Sequence, residues 1–201
     1  GTVQWGLPYG VANRTGQPGS DEVSAMIALA RSSSIDTLDT ARAYGESEAV
    51  IGREIGADPA FHVVTKTEPS LLNGPGGEAG ALERLRESLR TSREHLGRER
   101  LDTVLLHRPD QRLAHRGALW EALKRERDQG HIGRIGISAL SPEDALDALE
   151  DPAVSVMQVA SSLLDRRLHA TEFFERALER GVEVHVRSVF LQGAAFFAPN
   201  A

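Results

Sequence analysis

Short apolar runs alternate with amphipathic runs along the whole of this 201-residue chain. The apolar runs are a few residues long, rich in β-branched side chains and near-continuous, which is typical of strands buried on both faces of a parallel sheet. The pattern predicts seven strands: Thr2–Trp5, Ile35–Asp39, His62–Lys66, Leu101–His107, Ile132–Ser138, Ser155–Ala160 and Glu183–Phe190.

Helical patterns fill the intervals between these runs. They predict six helices: Asp21–Arg31, Glu46–Ile55, Ala79–Leu96, Gly117–Gln129, Pro142–Leu149 and Thr171–Arg180. Ser20 is the candidate N-cap of the first helix, and its apolar stripe at helical spacing comprises Val23, Met26, Ile27 and Ala30. Ser141 is the candidate N-cap of the fifth helix, with Pro142 at its first position.

Regular alternation of strand and helix predicts an α/β fold with a parallel sheet covered by helices. A doubly wound sheet usually has a glycine-rich phosphate turn after its first strand, and Gly6–Gly10 lacks that spacing. A closed barrel needs eight strands, and seven are predicted here. We therefore expect a TIM-type (β/α)8 barrel that is incomplete in this chain, forming a single domain over residues 1–201.

Composition narrows the classes of function. The net charge of −6 disfavours nucleic acid or an anionic membrane as partner, and no apolar run is long enough to span a bilayer. The absence of cysteine excludes disulfides and thiolate chemistry. The seven histidines show no ligand spacing with carboxylates, so no metal site is predicted. A cytoplasmic location is the default, and the first residue, Gly1, is consistent with a lost leader.

Four proton-active side chains follow three successive predicted strands. They are Asp39, Tyr44, Lys66 and His107. Each alone has a commoner structural role, as a turn residue, a packing residue, a strand-end lysine or a hydrogen-bonded histidine. Barrel enzymes place catalytic residues at the carboxyl ends of their strands, and these four positions share one rim. Together they favour a site of proton transfer.

The segments that carry these residues resemble the aldo-keto reductase family. The similar motifs are Leu38-Asp39-Thr40-Ala41 with Tyr44-Gly45, Lys66 at a strand end, and Leu105 to Pro109 around His107. The resemblance implies a carbonyl reductase that uses a nicotinamide cofactor, NADP(H), on a small-molecule aldehyde or ketone. It implies that Tyr44 is the general acid, that Lys66 lowers the pKa of Tyr44, and that Asp39 keeps Lys66 charged. His107 would hydrogen-bond the substrate carbonyl.

The later segments resemble the same family and imply a cofactor site. Ser138, Gln158, Arg187 and Ser188 would contact the cofactor, and Trp5 would either line the substrate pocket or pack in the core. Ala139 stands where family members commonly have Asn, and Arg187 stands where they often have a Tyr that stacks on the nicotinamide. A planar guanidinium can also stack on a ring.

The sequence contains neither the family's eighth strand nor the loop that grips the adenosine phosphate, so we expect NADP(H) to bind weakly or not at all. Two alternatives stay open. One is a barrel enzyme that uses the same residues for cofactor-independent proton transfer, as a dehydratase, cyclase or epimerase. The other is a non-catalytic binding module. The oligomeric state is not predicted.

Overall fold

A computed structural model of the chain describes residues 1–196, which form one sheet of six parallel strands. The strands are β1 (Thr37–Asp39), β2 (His62–Lys66), β3 (Leu101–Leu106), β4 (Ile132–Ser138), β5 (Val156–Ala160) and β6 (Glu183–Arg187). Their order in the sheet is the order in the sequence, so each new strand is added beside the last. This is the progression of a (β/α) barrel, and the predicted incomplete barrel is confirmed as a half-barrel.

Helices connect the strands and cover the outer face of the sheet. They are α1 (Val3–Gly6), α2 (Ser20–Ser32), α3 (Ser47–Glu54), α4 (Gly77–Leu96), α5 (Asp110–Asp128), α6 (Pro142–Leu149) and α7 (Phe173–Glu179), with short 3-10 turns at Leu168–Ala170 and Leu191–Phe196. In α6, Ser141 Oγ accepts a hydrogen bond from the Asp144 amide, as its position before Pro142 predicts.

Most of the buried apolar surface lies between the sheet and its outer helices. Val63, Val104, Ile135 and Met157 of the strands are at most 1% exposed and belong to this layer. On the inner face, the apolar cluster is small and consists of Val64, Leu105 and Val156. The rest of the inner face is therefore available for polar side chains, and this is where the candidate site lies.

Three local predictions are corrected. The first predicted strand, Thr2–Trp5, is instead the helix α1, joined to β1 by the Thr2 amide, which donates to the Asp39 carbonyl oxygen. A run of four residues is too short for its periodicity to distinguish a strand from a helical turn. Ser20 is the first residue of α2, which is capped by Gly19, and Met26 lies on the exposed side.

Two element ends also differ. The last strand stops at Arg187, before the predicted Phe190, because Ser188 has a left-handed φ of 63° that ends the extended run. Helix α5 begins at Asp110 rather than Gly117, but residues 114–117 break it, so its regular part starts where predicted. Residues 197–201 of the predicted single domain lie outside the described residues.

Among residues 1–196, no helix is long and apolar enough to cross a bilayer. The same part of the chain contains no group of three or more side chains that could hold a metal ion.

Candidate active site

The carboxyl ends of the strands enclose a cavity of about 740 Å³ on the inner face of the half-barrel. Its lining includes all eight residues predicted for catalysis and cofactor binding: Asp39, Tyr44, Lys66, His107, Ser138, Gln158, Arg187 and Ser188. Parallel strands bring their carboxyl ends to one edge, so side chains far apart in sequence meet there.

Lys66 and Asp39 form an ion pair at the base of this cavity. Lys66 Nζ donates to Asp39 Oδ1 at 2.6 Å and to the Thr40 carbonyl oxygen at 2.8 Å. The lysine side chain is 1% exposed and the aspartate side chain 24%. Burial lowers the pKa of Lys66, and the attraction of Asp39 opposes that shift. The ammonium charge is thus largely neutralised by its own partner.

Gln158 shares the same carboxylate oxygen. Its Nε2 donates to Asp39 Oδ1 at 2.7 Å, and since a carboxylate accepts, the amide nitrogen must face Asp39. Gln158 is 3% exposed, and its Oε1 has no hydrogen-bond partner in the described part of the chain. A buried carbonyl oxygen without a donor is costly, so this atom favours a ligand that brings an N–H group.

Tyr44 lies in the turn between β1 and α3, with its ring beneath Lys66. Nζ of Lys66 is 5.0 Å from the ring centroid, within the range of a cation–π contact. Burial, with the negative charge of Asp39 as the next cause, raises the pKa of Tyr44 to about 12, and Arg187 is the cation that opposes this rise. The expected lowering of this pKa is therefore not found, because burial of the phenol, the largest cause, raises it and Asp39 adds to the rise. Tyr44 is protonated near neutral pH.

Helix α1 fixes the position of the Tyr44 turn. A Cβ on Gly6 would lie 1.8 Å from the Tyr44 carbonyl oxygen, and one on Gly45 would lie 2.4 Å from the Gly6 carbonyl oxygen. Gly45 also has a φ of 56°, which favours glycine. Trp5, in the same helix, packs against the core and is not part of the cavity lining. Of its two predicted roles, the structure therefore places it in core packing rather than in the substrate pocket.

His107 faces Tyr44 across the cavity, with ring centroids 6.4 Å apart and planes at 89°. Its Nδ1 is 3.2 Å from the Thr67 carbonyl oxygen, which can only accept a hydrogen bond. Nδ1 therefore holds the proton of the neutral ring, and Nε2 is left as an acceptor. Burial, followed by the charge of Lys66, lowers the pKa of His107, so the neutral ring is favoured.

Arg187 is the last residue of β6, and its side chain extends past the end of β5 to the residue that follows β4. Its Nη2 donates to the Ala139 carbonyl oxygen at 3.0 Å, directly after β4, and its Nη1 to Ser188 Oγ at 3.4 Å. Ser138, which is 3% exposed, precedes that anchoring residue. Ala139 thus supplies a backbone acceptor for the guanidinium.

A buried carboxylate behind the site was missed by the sequence analysis. Glu48 of α3 is fully buried, accepting from Thr65 Oγ1 at 2.6 Å, from Ser92 Oγ at 2.8 Å and from Arg42 Nη1 at 2.6 Å. Because Thr65 directly precedes Lys66, this cluster joins α3 and α4 to the strand that carries the lysine. A glutamate near a helix start gives no local signal of such burial.

The comparisons with known proteins agree with this geometry. A family model described as the aldo/keto reductase family matches residues 1–197. An aldo-keto reductase of Mycobacterium avium is 28% identical over 152 residues, which are 76% of this chain and 51% of that protein. The chain thus spans about half the length of the curated relatives it matches.

Solved structures show the same fold. A Pseudomonas aeruginosa structure assigned to the aldo-keto reductases is 26% identical, with a TM-score of 0.77, over 93% of this chain and 71% of that one. An aldo/keto reductase from Klebsiella pneumoniae, solved in complex with NADP and acetate, is 23% identical with a TM-score of 0.69. That match covers 87% of this chain and 60% of the Klebsiella chain.

Proposed function

Because the chain belongs to the aldo/keto reductase family, we propose that it reduces an aldehyde or ketone to an alcohol, with NADPH as the hydride donor. The observation that carries the proposal is that Asp39, Tyr44, Lys66 and His107 meet in one cavity. The proposed substrate is a small-molecule carbonyl compound, and a cytoplasmic location stays a prediction from the sequence.

The cavity suits a nicotinamide. The unpartnered Gln158 Oε1 would accept from the carboxamide N–H group, and Ser138 and Ser188 offer hydroxyl groups beside it. Arg187 presents a planar guanidinium to the same space. When bound, the cofactor supplies the hydride, which no side chain can provide.

Tyr44 supplies the proton. With a pKa of about 12, its phenol is protonated near neutral pH, and it donates to the substrate oxygen as that oxygen gains negative charge. An alkoxide is a stronger base than a tyrosinate, so this transfer is downhill in the direction of reduction. Because the raised pKa leaves little tyrosinate near neutral pH, Tyr44 is rarely in the form that could act as the base for alcohol oxidation.

The remaining three residues position this acid and polarise the site. Lys66 lies against the Tyr44 ring and is itself held by Asp39 and the Thr40 carbonyl oxygen. In the neutral His107 ring, Nε2 is an acceptor, so it would receive the hydroxyl hydrogen of the alcohol product. Only the imidazolium form could donate from Nε2 to a substrate carbonyl.

The test is NADPH consumption by the 201-residue protein with a panel of aldehydes and ketones. We expect Tyr44→Phe to reduce kcat by about 100-fold or more, the size of a general-acid contribution. Tyr9→Phe is the matched control because Tyr9 lines the same cavity and loses the same hydroxyl group. Full activity in Tyr44→Phe, or turnover of a carbonyl substrate without NADPH, would contradict the proposal.

A further inference from the structure

The cavity lining includes a positively charged side chain, that of Arg187, which no acidic group within residues 1–196 neutralises. Lys66 and Asp39 pair with each other at 2.6 Å. His185 Nε2 is hydrogen-bonded to Oε1 of Glu183, in the same strand, at 2.6 Å. Arg187 forms no ion pair within residues 1–196, and its hydrogen bonds go to uncharged oxygens. A ligand that enters the cavity therefore meets a net positive potential.

The position of this charge is fixed by the fold. The backbone of Arg187 belongs to β6, and its guanidinium is held by the hydrogen bond from Nη2 to the Ala139 carbonyl oxygen. Its charge acts on Tyr44, Lys66 and His107 alike, since it lowers the pKa of each. The guanidinium is thus close to the place where hydride and proton would be transferred.

Nicotinamide changes its charge in the reaction, because the oxidised ring is a cation and the dihydro ring is neutral. We propose that Arg187 makes this site select the redox state of its cofactor, so that the neutral reduced form binds more tightly than the cationic oxidised form. This inference rests on the proposed function. Its consequence is that NADPH displaces NADP⁺ after each turnover, which favours carbonyl reduction over alcohol oxidation.

The discrimination has an expected size. Two unit charges a few ångströms apart in a partly solvated site repel enough to change affinity by about tenfold or more. Because Arg187 is half-buried and solvent screens it, we expect the ratio of the Kd for NADP⁺ to the Kd for NADPH to be about ten. A cavity without net charge would give a ratio near one, since the two cofactors are otherwise nearly identical in shape.

The experiment measures both dissociation constants by isothermal titration calorimetry on the 201-residue protein, with each cofactor taken to millimolar concentration. Arg187→Gln removes the charge and should bring the ratio close to one. Arg187→Lys keeps the charge and should retain the preference for NADPH. Arg125→Gln is the matched control, because it removes an exposed arginine charge from α5, away from the cavity.

The outcomes separate this inference from the function on which it rests. Equal binding of both cofactors by the unaltered protein, or a ratio that Arg187→Gln leaves unchanged, overturns the selection by Arg187 and leaves the reductase proposal standing. No binding of either cofactor overturns the selection by Arg187, and together with no NADPH consumption in the carbonyl panel it overturns the reductase proposal as well. The ratio in the unaltered protein decides the question even if Arg187→Gln does not fold.

Discussion

Replacing Lys66 with methionine tests whether its pair with Asp39 stabilises the fold of the site. The substitution keeps an apolar chain in a position that is 1% exposed but removes the ammonium group. Loss of one partner from a buried pair costs about 3–5 kcal/mol. Because Asp39 is 24% exposed and keeps a hydrogen bond from Gln158 at 2.7 Å, we expect unfolding free energy to fall by about 2 kcal/mol.

The reverse substitution, Asp39→Asn, leaves the ammonium group of Lys66 buried with only the Thr40 carbonyl oxygen as a strong acceptor. We expect it to cost about 3 kcal/mol, more than Lys66→Met, because the charge left behind is the more deeply buried one. The double variant should lose less than the sum of the two single variants, with a coupling energy of at least about 1 kcal/mol.

The assay is urea unfolding at neutral pH, followed by circular dichroism, for the four members of this double-mutant cycle. The control cycle is the pair of Glu121 and Lys124, 2.5 Å apart on one helix face and more exposed than Lys66 and Asp39, where we expect a coupling below about 0.5 kcal/mol. If the Lys66 and Asp39 substitutions are additive, the contact does not stabilise the site, and the positioning role given to this pair is refuted.

Three further predictions concern other titratable groups. Glu48→Gln should lower the free energy of unfolding by about 3 kcal/mol, because it removes the buried carboxylate charge that pairs with Arg42. The control Glu121→Gln should cost under about 0.5 kcal/mol in the same urea assay, and equal effects would contradict a stabilising role for the buried carboxylate. The pKa of His107 is lowered from 6.5, so below pH 6.5 the unfolded state binds more protons than the folded state and the free energy of unfolding falls. His107→Gln should make that fall smaller, and an unchanged dependence of unfolding free energy on pH would contradict the lowered pKa. In a Tyr9→Phe background, the ultraviolet absorbance of tyrosinate should show Tyr44 ionising well above pH 10 while the protein is folded, and a midpoint at 10 would exclude the raised pKa.

The strands and their order could be predicted from the sequence because a strand that is buried on both faces appears as a short, near-continuous apolar run. Each strand from β1 to β5 begins and ends within about two residues of its predicted bounds, and β2 and β4 match at both ends. The helical stripes predicted most of the outer elements for the same reason. Helix α1 was predicted wrongly because its form depends on packing against Tyr44 and Gly45, which a four-residue pattern does not contain.

The sequence by itself determined the fold class and the four proton-active members of the candidate site, since residue type and position after a strand suffice to place a side chain at one rim of a barrel. The cofactor-site members followed from the resemblance to the family. Only the tertiary structure decided how those side chains act on one another. Gln158 meets Asp39 across 119 residues of sequence, and the raised pKa of Tyr44 follows from burial and from the negative charge of Asp39. Such effects depend on distances of a few ångströms and on exclusion of water, which arise only when the strands have come together.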